Sequence, residues 1–294
     1  MSSLPPVLPP GLPSDTTFAV TGSTGRLGGR VARRLAADGI AQRLVARDPA
    51  RAPRLPGATA VPGAYGDRDD IVRALTGAGR GVDRVLMVSA SESADRVDQH
   101  RAFVDAAAEA GVGHLVYISF YGAAPDATFT LARDHWHTEQ HIRASGVPFT
   151  FLRDNLYADF TPGLVGDDGV IRGPAGQGRA AVVAQDDIAD AATAVLTHAP
   201  EHAGATYDLT GPQSLTFDEI AAVLTTATGR TITYRPETVE EAYRSRASYG
   251  APDWQLDAWV STYTAVAAGE LDGVGDAVPR LTGRPATPLA DVVR

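Results

Sequence analysis

The chain has 294 residues, 44% of them hydrophobic, and a net charge of −9, which fits one large globular domain or two smaller ones sharing a core. No apolar run approaches the roughly 18 residues a membrane helix needs, and the acidic surplus argues against nucleic acid and anionic membranes as direct partners. Cysteine is absent and all 26 basic residues are arginine, which excludes disulfides, thiolate nucleophiles, cysteinyl zinc, Schiff-base lysines and any Tyr-x-x-x-Lys pair.

The opening MSSLPPVLPPGLPSD has no basic n-region and is broken by proline, so it reads as a Pro-rich tail over 1–15 and not as a signal peptide. Without an export signal, a cytoplasmic location is the default. FAVTG (18–22) is a buried strand that runs into glycines, and a helix through Val31 and Leu35 follows. RLVAR (43–47) is a second strand, with a weaker one around Ala60–Pro62 and a helix through Ile71 and Leu75. RVLMVSA (84–90), HLVYISF (114–120) and FTFLRDN (149–155) are further strands, separated by helices over 100–111 and over the His-rich segment LARDHWHTEQHI.

Strands alternating with helices predict an α/β fold, a Rossmann-type doubly wound parallel sheet over 16–155. A smaller C-terminal α/β lobe over 156–294 is the expected substrate-binding part, with 186–210 returning to the first domain. Residues 156–185 read as glycine-rich loop, and 186–199 as a helix with Asp186 at its N-cap. Thr216 and Glu219 have capping-box spacing. Trp254 and Trp259 are expected in a local core.

VTGSTGRLGGRV sets Gly22, Gly25 and Gly28 at three-residue spacing between a strand and a helix. Small residues there permit a tight turn, the approach of a pyrophosphate and close helix–strand packing. Gly22, Ser23, Thr24, Gly25, Arg26, Leu27 and Gly28 are therefore candidate cofactor contacts. At the end of the second strand stands Arg47, whose guanidinium suits a 2′-phosphate, so NADP (as NADPH) is favoured over NAD. Asp48, beside it, is the residue type that would favour NAD. Gly66 and Asp67, then Ser89, Ala90 and Ser91, then Ser119 end later strands and share that address. Phe120, Tyr121, Asn155, Leu156 and Tyr157 are the matching candidates for a small-molecule substrate.

These stretches resemble the NmrA-like, atypical short-chain dehydrogenase/reductase family: VTGSTGRLG, LVARDPAR, AGVGHLVYIS and HWHTEQHIRASGVPFTFLRDNLY carry the likeness. Within it the chain is most similar to the bacterial NADPH-dependent quinone oxidoreductases, from about Thr17 to the C-terminus. The resemblance implies NADPH in the crevice, a quinone-like acceptor, Gly22, Gly25, Gly28 and Arg47 as cofactor contacts, and Asn155 as a wall of the substrate pocket. It also implies two alternatives: a non-catalytic NADP(H)-sensing regulator that acts through a protein partner, and a pathway-specific tailoring reductase or epimerase.

Three histidines remain. A gluzincin needs His-Glu-x-x-His, whereas this chain has His-x-Glu-x-His, so no metal is expected. Leu131, His135, Thr138 and Ile142 share one helical face, which turns His135 inward and leaves His137 and His141 toward solvent. Tyr121, His135 and Asn155 are the candidate catalytic groups, with His135 read either as a proton donor or as a pocket-lining residue. The expected activity is hydride transfer from NADPH to a quinone-like or conjugated carbonyl compound. A homodimer is left open.

Overall fold

A computed structural model describes residues 12–76 and 81–294. The tail expected over 1–15 lies, for residues 1–11, outside the described residues. Seven strands form the main sheet: β1 (Phe18–Thr21), β2 (Gln42–Ala46), β3 (Ala58–Pro62), β4 (Arg84–Met87), β5 (His114–Phe120), β6 (Phe149–Asp154) and, later in the chain, Thr206–Leu209. Their order is β3-β2-β1-β4-β5-β6 followed by the Thr206–Leu209 strand. The pairings of β1 with β2 and β4, of β2 with β3 and of β4 with β5 are parallel. β1, β4 and β5 are buried along their whole length, which explains why they read as continuous apolar runs without alternation.

This is the doubly wound Rossmann arrangement. Strand order reverses between β1 and β4, so the loops leaving their carboxyl ends open a crevice there. The helices between these strands are α1 (Arg26–Ala37), α2 (Arg68–Leu75), α3 (Arg96–Glu109) and α4 (Thr130–Ser145).

The chain divides into two compact units. The first comprises the residues up to Ser119, His137–Leu152 and Ile188–Tyr207. Its core sets Met87, Phe103, Leu115, Tyr117 and Phe151 against one another. Burying each such side chain is worth about 1.5–3 kcal/mol.

The second unit comprises Phe120–Trp136, Arg153–Asp187 and Asp208–Arg294. The segment read as loop over 156–185 contains a 3-10 turn (Ala158–Leu164), β7 (Val170–Gly173) and β8 (Arg179–Ala180). These strands have four and two residues, too short to display a period. Their partners are remote: β7 pairs in parallel with Thr233–Pro236, and β8 antiparallel with Leu215–Thr216.

Helix α5 (Gln185–Thr197) begins one residue earlier than expected. Asp186 lies inside its first turn, and the carboxylate of Asp159 accepts the Gln185 N–H at 2.8 Å. The Thr216–Glu219 capping box forms at α6 (Phe217–Thr228), with reciprocal hydrogen bonds of 3.2 and 2.8 Å. Two further helices, α7 (Val239–Arg246) and α8 (Asp253–Ala267), follow. Trp254 and Trp259, expected in a core, are half-buried on α8. Among the described residues no helix is long and apolar enough to cross a membrane.

Candidate functional site

A groove of about 410 Å³ lies over the β1–β4 switch point in the first unit. Gly22 and the run Thr24–Gly28 form its floor, Arg47 one flank, and Ser89, Ala90 and Ser91 the other. Gly22 has φ +63, a conformation L side chains rarely adopt, and a Cβ there would lie 3.0 Å from that of Val88. A Cβ on Gly28 would come within 2.5 Å of the carbonyl oxygens of both Thr21 and Gly22, so α1 packs onto β1 only with glycine at this point.

The first turn of α1 has no acidic residue, and its N-cap Gly25 offers no side-chain acceptor. Its N–H groups face the loop with the positive end of the helix dipole behind them. The Ser23 hydroxyl is buried and has no hydrogen-bond partner among the described residues. These residues fit the pyrophosphate of a dinucleotide. Arg47 is exposed on the groove wall, while the Asp48 carboxylate caps the turn Pro49–Arg51 by accepting the Ala50 N–H at 3.0 Å. The charge presented to a ribose from this strand end is therefore the guanidinium.

Gly66 and Asp67 are not part of the groove lining. The Asp67 carboxylate accepts the Asp70 N–H at 2.9 Å and so caps α2. Tyr65 and Gln99 line the groove instead. Tyr65 donates to the Val88 carbonyl at 2.5 Å and contacts the Thr21 hydroxyl, tying the ends of β1 and β4 together. Burial pushes its phenol pKa well above the usual range.

Behind Ser89–Ser91, α3 holds both backbone groups of Ala90. His100 Nε2 accepts the Ala90 N–H at 2.8 Å, and Arg96 Nε donates to the Ala90 carbonyl at 3.0 Å. With Nε2 accepting, Nδ1 carries the proton and donates to the Thr138 hydroxyl at 2.8 Å. Burial, with Arg96 adding to it, holds the His100 pKa down to about 3, so the ring is neutral and this tautomer persists. Sequence reading missed Arg96 and His100. The signal available was their four-residue spacing at the start of the helix that follows the Ser-Ala-Ser strand end.

Ser119 does not reach the groove. It is fully buried, and its hydroxyl donates to Glu139 at 2.6 Å. On α4, Leu131, His135, Thr138, Glu139 and Ile142 are buried, while His137 is exposed. His141 pairs with Asp105 at 2.7 Å. His135 packs 6.0 Å from the Phe120 ring, beside Phe129, and lines neither the groove nor the cavity described next. Phe120 is likewise a core residue. The Tyr121 phenol donates to the Asp272 carbonyl at 3.3 Å, and its pKa is raised by burial and then by Asp208 and Asp272.

Asn155 is completely buried and bonded on both sides. Its Nδ2 donates to the Leu271 carbonyl at 3.1 Å, and its Oδ1 accepts the Leu156 N–H at 2.7 Å. It is a strut, not a pocket wall. The residues after it, Leu156 and Tyr157, do line a cavity of about 880 Å³ in the second unit. Phe160, Tyr249, Trp259 and Tyr263 furnish further walls, and among the described residues Arg172 and Arg246 are its only charged lining.

A glycine-rich loop at a sheet switch point, opening an uncapped helix toward a groove, is dinucleotide-binding geometry, and residues 22–199 match the family model described as NAD(P)H-binding. The chain belongs to the NAD(P)H-binding family. Within that family it is 34% identical to an NAD(P)H azoreductase of Xenophilus azovorans over 94% of this chain and 96% of that one. It superimposes on an NADPH-dependent quinone oxidoreductase of Escherichia coli, solved with NADPH, with a TM-score of 0.84 and 32% identity, over 94% of this chain and 98% of that one. NmrA, a negative transcriptional regulator, shares the fold at 17% identity and a TM-score of 0.74, over 95% and 94% of the two chains.

Proposed function

We propose that the chain is an NADPH-dependent reductase that passes hydride to a quinone-like or otherwise conjugated small molecule. The observation carrying this reading is the groove: a loop that accepts a pyrophosphate, flanked by Arg47 in place of an acidic ribose partner. Relatives of near full-length similarity named as a quinone oxidoreductase and an azoreductase support it. Both kinds of acceptor are electron-poor π systems. NADPH, when bound, supplies two electrons and a proton as hydride; a second proton from solvent completes a hydroquinone, leaving NADP⁺.

The protein's own residues then have three tasks. Gly22–Gly28 and Arg47 bind and orient the cofactor. Arg96 and His100 fix the backbone at Ala90, which faces it. The aromatic-lined cavity of the second unit offers a surface for binding the acceptor. No dedicated proton relay is required, because the oxyanion left by a reduced quinone is a weak base. Tyr121, whose phenol donates to the Asp272 carbonyl, and His135, packed near Phe120, line neither the groove nor the cavity and serve as supports. A cytoplasmic location and a homodimer belong to this reading, to be checked by cell fractionation and light scattering.

The deciding experiment is NADPH oxidation at 340 nm across benzoquinones, naphthoquinones, enones and azo compounds. Turnover with quinones is expected. NADPH binding without turnover on any acceptor would overturn the reductase reading and favour a sensor of cofactor redox state.

A further inference from the structure

The cavity in the second unit has a composition that narrows its ligand. At about 880 Å³ it stands near the top of the roughly 300–1,000 Å³ range of small-molecule sites. A single-ring quinone would leave most of it to water, whereas a multi-ring acceptor fills it. Its aromatic walls, Tyr157, Phe160, Phe217, Tyr249, Trp259 and Tyr263, offer rings for stacking.

Charge is distributed unevenly around it. Among the described residues Arg172 and Arg246 line the cavity and no carboxylate does; Arg172 pairs with Asp168 and Arg246 with Glu237. The two guanidiniums are not equivalent. Arg246 is fixed: its Nη1 meets Glu237 at 3.0 Å in a buried pair, its Nη2 donates to the Arg172 carbonyl at 3.0 Å, and its guanidinium lies 5.1 Å from the Tyr263 ring centroid. Breaking that pair would strand a buried charge.

Arg172 is different. Its Nη1 and Nη2 meet the two carboxylate oxygens of Asp168 at 3.1 and 2.5 Å, and the two side chains are 33% and 54% exposed, so this bidentate pair, unlike that of Arg246, faces solvent. A ligand anion would share this solvent-facing guanidinium with Asp168. A ligand anion at the cavity would gain a charge-assisted, potentially bidentate contact.

We propose that the cavity selects multi-ring aromatic acceptors carrying an anionic group, with Arg172 as the residue that reads the charge. The proposal rests on the reductase reading for the word acceptor, but the selectivity itself is a property of binding. Cationic aromatic ligands of the same size meet two guanidiniums and are disfavoured.

The test uses the full chain and a matched pair, 1,2-naphthoquinone-4-sulfonate and unsubstituted 1,2-naphthoquinone. Affinities come from calorimetry in the absence of NADPH, and KM values from NADPH oxidation. A sulfonate preference of about tenfold or more is expected, that being the reach of one charged hydrogen bond. Arg172→Gln should collapse the ratio of the two affinities and Arg172→Lys should restore part of it, while raised salt narrows the ratio in the parent chain. Thermal unfolding identifies a variant that has simply lost its fold, in which case the salt dependence of the parent decides. Equal affinities for the pair, or a ratio that neither salt nor Arg172→Gln moves, would overturn the proposal and leave the reductase reading standing. Selective binding without turnover would do the reverse.

Discussion

Replacing His100 by leucine tests whether α3 positions the cofactor groove. The substitution keeps a buried side chain of similar bulk but removes the acceptor of the Ala90 N–H and one contact of the Thr138 hydroxyl. An orphaned buried N–H costs about 1–3 kcal/mol, so a loss of that order in stability is expected. The specific consequence is at Ser89–Ser91, which line the groove and lose one of the two tethers on Ala90. NADPH Kd should rise about tenfold, equivalent to about 1.4 kcal/mol, when measured by fluorescence titration well below the Tm. His100→Gln, whose amide oxygen can again accept from Ala90, should recover part of that affinity.

Acidity supplies a second readout of the same residue. The His100 pKa is pushed from 6.5 to about 3 and that of His114 to about 4, burial being the main cause for both. Below pH 6.5 the unfolded chain therefore takes up protons that the folded chain refuses. Stability should be level above that pH and fall toward pH 3–4, by up to about 1.4 kcal/mol per unit for each histidine. His100→Leu removes one proton from that slope. An unchanged NADPH Kd alongside a lowered Tm would show His100 to be only a core residue, and an unchanged acid limb would refute its neutral, buried state.

Two more predictions bear on residues singled out in the sequence. Arg47→Ala should weaken NADPH by ten- to about a hundredfold, the range of a charged hydrogen bond to phosphate, and NADH far less; equal losses for both cofactors would remove Arg47 from 2′-phosphate recognition. Asn155→Ala should lower the Tm through about 1–3 kcal/mol of lost hydrogen bonding, with turnover falling because Leu156 and Tyr157 shift. Asn155→Asp should be worse, since it sets a carboxylate against the Leu271 carbonyl. Turnover lost at an unchanged Tm would instead make Asn155 a wall of the substrate site.

The parts of the fold legible in the sequence are those with a local cause. β1, β4 and β5 are apolar because they are buried on both faces, and Gly22 and Gly28 are forced by backbone approach at one turn. The inward face of α4 follows from the spacing of Leu131, His135, Thr138 and Ile142. What stayed hidden depends on distant partners. β7 exists because Thr233–Pro236 lies beside it, and the cap of α5 comes from Asp159, 26 residues earlier. The cavity is assembled from segments as far apart as Leu156 and Tyr263, with no motif to mark it. Strand ends alone also misplaced Gly66, Asp67 and Asn155, because a polar residue at a strand end serves a cap or a strut as readily as a ligand.

The α4 face gives the chemistry its limit. This helix holds His135 packed near Phe120 and Glu139 bonded to Ser119. Both are interior residues, and a lysine is absent from the whole chain. An alkoxide formed by ketone reduction would find no built donor in this place. Hydride transfer to a quinone or a conjugated acceptor makes no such demand, since the product anion is stabilised by its own π system. A site relieved of proton delivery is left to discriminate by shape and charge, and those are the properties the aromatic, arginine-lined cavity has to offer.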